Sequence, residues 1–98
     1  MKRFTILSRE VLSRGKGGYY NKTEEKIFLA DMTDKKINEK LEELNKNKRT
    51  NFFEVSKDFN LKTKQGSKEF VNYYLENSKD YSIKKFKNEV IDIINNWQ

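Results

Sequence analysis

Two stretches of the chain concentrate positive charge. Residues 2–22 carry Lys2, Arg3, Arg9, Arg14, Lys16 and Lys22 against the single acid Glu10. Residues 48–68 carry Lys48, Arg49, Lys57, Lys62, Lys64 and Lys68 against Glu54 and Asp58. The formal net charge of +6 arises in these blocks, because the segments between and after them are slightly acidic. Lysine and arginine in such density suit a polyanion: nucleic-acid phosphates or an acidic protein surface. A fold that brought the two blocks together would give one binding surface.

Other chemistries are poorly supplied. Histidine and cysteine are both absent, which removes imidazole acid-base catalysis, thiolate nucleophiles, disulfides and the usual zinc ligands. Adjacent acids at Glu24-Glu25 and Glu42-Glu43 point in different directions on a helix, so they suit a helix start and a solvated face better than a catalytic pair. The segment GKGG at 15–18 reads as a flexible hinge. It is not a phosphate loop, since Asn21 stands before Lys22-Thr23 where glycine is needed and no apolar strand leads in. No apolar run reaches the length of a membrane span and no signal-peptide core follows Met1. A non-enzymatic, cytoplasmic protein without cofactor or metal is expected.

A single domain is expected at 98 residues. The 13% aromatic content argues for a folded core despite 37% charged residues. In residues 1–18, Phe4, Leu7, Val11 and Leu12 fit a helical face, while Phe4 and Ile6 equally allow a strand. Asn21 and Glu24 make a capping box before Ile27 and Phe28, which predicts a helix over about 22–31; the continuous run Ile27–Ala30 allows a buried strand. Thr33 caps the clearest helix, about 34–45, with Ile37, Leu41 and Leu44 on one face. Asn51 and Glu54 form a second capping box, predicting a helix over 51–59. Phe53, Val55, Phe59 and Leu61 would instead share a strand face, broken at Lys57. Two further helices follow Ser67 and Ser82. Phe70, Val71, Tyr74 and Leu75 face inward on the first, and Ile83, Phe86, Val90, Ile93, Ile94 and Trp97 on the second.

Three short helices in a row carry a resemblance. Tyr20, Asn21, Glu24, Glu25, Ile27 and Phe28 run as an aromatic, a capping residue and two acids before two apolar residues. Ile37 and Leu41 follow on a second helix. Arg49-Thr50, Val55, Phe59 and Leu61-Lys62 complete a third. Over about residues 18–64 this order resembles the Myb/SANT-like, homeodomain-like branch of the helix-turn-helix class. The resemblance implies a mainly α domain: a basic N-terminal segment (1–18), a trihelical core (19–64) and a C-terminal helical pair (65–98). The alternative is α+β with a short N-terminal sheet.

It also implies a mechanism. The third helix would enter the major groove of duplex DNA with Asn51 and Lys57 near base edges. Lys48, Arg49, Lys62 and Lys64 would hold phosphates at its ends. Arg9, Arg14 and Lys16 would form an arm on the adjacent backbone or minor groove. Tyr73, Tyr74 and Trp97 would offer a homodimer face. The expected function is therefore a small DNA-binding regulator of a phage or mobile element. The alternative is a phage-type inhibitor of a host defence enzyme, acting on a protein target.

Overall fold

The computed structural model describes residues 1–18, 20–46 and 52–96, and the side chains of residues 13, 14, 16 and 20 are outside the description. Its framework is a three-stranded antiparallel sheet in the order β2-β1-β3, built from β1 (Arg3–Arg14), β2 (Tyr20–Ala30) and β3 (Glu54–Asn60). Helix α1 (Asp34–Asn45) links β2 to β3, and α2 (Lys64–Glu76), α3 (Tyr81–Lys84) and α4 (Lys87–Asn95) follow.

The fold is thus α+β, and the mainly α expectation is overturned. Two of the three helices of the expected trihelical core are strands. The capping box at Asn21 and Glu24 is not used, because residues 20–30 pair along their whole length with residues 4–14 of β1. Local capping stabilises a helix end by about 1 kcal/mol. A full ladder that also buries Leu29 and partly buries Phe28 outweighs it. Residues 54–60, expected as the recognition helix, pair with β1 from Arg3 to Ser8. Asn51, the first residue of that expected helix, lies outside the described residues.

Alternation along β1 divides the molecule into two cores. Phe4 and Ile6 face one way, and Thr5 and Leu7 the other. The first pair is buried with Phe59, Phe70, Val71, Tyr73, Ile83, Phe86 and Val90, so α2, α3 and α4 cover that face. Phe4 is its hub, with ring centroids 4.7 Å from Phe70 and 4.9 Å from Phe86. On the opposite face Leu7 and Leu29 pack against Ile37 of α1 and against Phe53. A bulge at Ser56 lets β3 serve both cores. The register steps from Ile6 opposite Lys57 to Leu7 opposite Val55, leaving Ser56 as the extra residue. Its hydroxyl donates to the Ile6 carbonyl at 3.2 Å. Phe59 consequently joins one core while Phe53 joins the other.

The helix expected over 34–45 is present with its expected cap, the Thr33 hydroxyl accepting from the Lys36 amide at 3.3 Å. The next helix begins earlier than expected, at Thr63, whose hydroxyl accepts from the Gly66 amide at 3.0 Å. Ser67 is buried inside it and donates to the Leu61 carbonyl. The last helix is broken in two, with Asp80 and not Ser82 capping its first piece.

Candidate nucleic-acid interface

Strand β1 is longer than the sheet's third strand. Residues 4–8 pair on both sides, whereas Arg9 to Arg14 pair only with β2, from Glu25 to Tyr20. These six pairs form a two-stranded ribbon about 20 Å long beyond the edge of β3. At its end Gly17 and Gly18 adopt φ of 82° and 81°, left-handed values that glycine takes without strain, and so close the hairpin. Leu12 is half exposed, and Asn21, Lys22, Thr23 and Glu24 are exposed. The molecule's longest extent is 52 Å.

Charge is sorted along the ribbon. From Val11 to Thr23 the chain carries Arg14, Lys16 and Lys22 and no acid. Nearer the base the balance changes. Glu10 lies directly opposite Glu24, and both line a shallow concavity with Glu54, Phe52 and Val55. Arg9, which also lines this concavity, is held by the fold. Its Nε and Nη2 bond Glu25 at 2.7 and 2.6 Å, and its guanidinium lies 4.7 Å from the Phe53 ring centroid.

The expected site residues therefore part company. Arg14 and Lys16 lie at the ribbon end and Arg9 at its base, where it braces strand to strand. Lys57 is exposed on β3, in a shallow surface with Glu69 and Glu76. Lys62 and Lys64 lie in the turn after β3 and the first turn of α2, beside Glu89 and Asp92. The helix whose ends Lys62 and Lys64 were expected to flank does not exist. Lys48, Arg49 and Asn51 fall outside the described residues. The two basic blocks meet only in part: Leu61 bonds the backbone at Lys2, and Lys2, Arg3 and Lys62 line one surface with Asp31, Asp34 and Asp58, whereas the ribbon end is about 35 Å away, the length of β1. Of the expected dimer face, Tyr73 is buried in the core, Tyr74 packs against it and Trp97 is outside the described residues.

Glu54 and Asp58 also change character. Asp58 clamps the sheet: Arg3 Nε and Nη2 donate to its two oxygens at 2.9 and 2.7 Å, and Thr5 Oγ1 donates at 3.0 Å. The same guanidinium reaches Asp34 of α1 at 2.8 Å and the Met32 carbonyl at 3.2 Å. The Arg3 bonds hold the Asp58 carboxyl below the ordinary carboxylate value, and Asp58 in turn raises Arg3. The ribbon and its basic end were missed as a unit. The available signal was weak: a glycine-rich turn, GKGG, between two segments that each contain apolar residues, a pattern open to a hairpin as well as a hinge.

Among the described residues no group of three acids, histidines or cysteines is placed to hold a metal ion, and no helix is long and apolar enough to cross a membrane. Comparison of the chain with protein-family models, with curated proteins and with solved structures finds no match.

Proposed function

We propose that the chain is a nucleic-acid-binding protein whose contact element is the β-ribbon. The observation that carries this reading is the ribbon itself: two strands standing clear of the core, with Arg14, Lys16 and Lys22 toward the end and no acid from Val11 to Thr23. A two-stranded ribbon fits the major groove of B-DNA as a helix does. Lysine and arginine at its end would engage phosphates, while Asn21 and Thr23 are exposed polar residues of types suited to base edges, the Thr23 hydroxyl donating to the Val11 carbonyl and keeping its acceptor side. Binding, not catalysis, is the activity such a surface supports.

The test is retention of the chain on duplex and single-stranded DNA at two salt concentrations. Reversal of the ribbon end, R14E with K16E and K22E, is expected to abolish retention while leaving the circular dichroism melt unchanged, since these residues lie beyond both cores. Undiminished binding by the triple variant would remove the reading.

A second reading, an inhibitor that binds a protein target, is favoured by one feature. Glu10, Glu24 and Glu54 line a common surface at the ribbon base together with Arg9, which Glu25 holds, and the excess of carboxylates there repels phosphate but suits a basic protein. No DNA retention by the wild type, with one protein recovered in pull-down and lost on reversal of these glutamates, would favour it.

A further inference from the structure

We propose that the outer edge of β2 pairs with the same edge of a second copy, joining two sheets into one of six strands. β2 is an edge strand of 11 residues. It has no bulge in its pairing to β1 and no proline; of the devices that blunt an exposed edge it carries charged side chains, Lys22, Glu24, Glu25 and Lys26, and these are of both signs. Its hydrogen-bonding phase follows from the register. The Asp31 amide donates to the Arg3 carbonyl, so the odd-numbered residues of β2 turn their backbone groups toward β1. The even-numbered ones, from Tyr20 to Ala30, turn theirs outward.

Charge then selects the register. A two-fold axis perpendicular to the sheet preserves faces, so one residue must oppose its own copy. Centring on Glu24 would set Lys22 against Lys26 and Glu24 against itself. Centring on Lys26 would set two lysines together. Centring on Glu25 pairs all 11 residues, Tyr20 with Ala30 and Lys22 with Phe28, and sets Glu24 against Lys26 twice. Centring on Thr23 sets Lys22 against Glu24 but pairs only residues 20–26. In the full-length register the two Glu25 side chains meet, each already bound by its own Arg9 at 2.6 Å. The arrangement also resolves a conflict within the single chain. Glu10 faces Glu24 across the hairpin, a like-charge pair that destabilises a sheet. The second copy's Lys26 would lie on the open side of Glu24.

The test is molar mass by light scattering without nucleic acid, as protein concentration rises into the millimolar range. The wild type is expected to move from 11.8 kDa toward twice that mass. Glu24→Lys and Lys26→Glu should each weaken the dimer by about tenfold or more, since each turns two opposite-charge pairs into like-charge pairs. The double swap should restore it. A second measurement is independent of charge. The chain has no cysteine, and Glu25→Cys would face its own copy across a non-hydrogen-bonded pair, about 4.5 Å between Cα atoms, close enough for a disulfide. It should oxidise to a covalent dimer, whereas Thr23→Cys, displaced along the strand, should not. A wild type that stays monomeric, a double swap as monomeric as the single variants, or equal cross-linking at 23 and 25 would each overturn the proposal. In this register ribbon residues 20–24 lie beside residues 26–30 of the second copy, so the dimer is a state distinct from the chain bound to nucleic acid through a free ribbon; DNA retention, measured separately at low protein concentration, keeps failure here distinct from failure of that reading.

Discussion

Arg3 and Arg9 show how far a basic residue's type is from its role. Both were members of a positively charged block, and both are committed to carboxylates of the fold. Arg3 ties three elements through Asp58, Asp34 and the Met32 carbonyl. Asp58, Asp31 and Asp80 all lie below the ordinary carboxylate value of 3.8, through hydrogen bonds from Arg3, from the Lys2 and Arg3 amides, and from Ser82 respectively. For a depressed folded-state pKa the stabilisation is present above the unfolded value. It is lost as pH falls through the lowered folded values. Stability should therefore be steady near neutrality and fall below about pH 4. Asp58→Asn cannot titrate and forfeits one charge-assisted pair. At neutral pH it should cost about 1 kcal/mol, discounted for solvent screening, as read from the urea midpoint. Its stability should then fall less steeply in acid than the wild type's. Parallel acid profiles for the two proteins would mean that the Arg3–Asp58 pair does not couple to folding.

The elements divide by whether their stabilisation is local. Helix α1 was legible because its cap and its Ile37, Leu41 and Leu44 stripe lie within one short segment. Strand β2 was not, since Asn21 and Glu24 spell a helix start and only pairing with residues 4–14 makes them a strand. Strand β3 was hidden for a different reason. The bulge at Ser56 shifts the alternation by one residue, so Phe59 and Phe53 serve opposite faces and Lys57 interrupts what should be a clean period of two. As for the candidate site, Arg14 and Lys16 were picked out from charge alone, but the ribbon carrying them depends on that same unseen pairing. At the junction of β3 and α2, Gly66 starts the helix so close to the Asn60 carbonyl that a Cβ there would collide with backbone. Gly66→Ala should therefore destabilise by about 1–3 kcal/mol despite alanine's better helix propensity. A thermal melt reads this directly, and an unchanged or raised midpoint would show that α2 can shift away from β3 at little cost.

Across the whole molecule, the length of β1 decides which cations can act together. The ribbon end and the Lys62–Lys64 turn are about 35 Å apart, the length of β1, so charge added at one is screened from the other by several Debye lengths at physiological salt. Net charge alone would treat Lys22 and Lys62 as equivalent. Their positions do not: Lys62 and Lys64 share their surface with Glu89 and Asp92, while no acid occurs between Val11 and Thr23. Each phosphate neutralised contributes about −0.9 to the slope of log affinity against log salt. Three cations at the ribbon end thus set a slope of roughly −3 per bound chain. Removing them by R14Q with K16Q and K22Q should flatten the slope nearly to zero. K62Q with K64Q, the same kind of charge removal at the far end, should leave it within about half a unit of the wild type. Equal flattening by both variants would show that binding follows total charge, and that the ribbon's reach has no part in it.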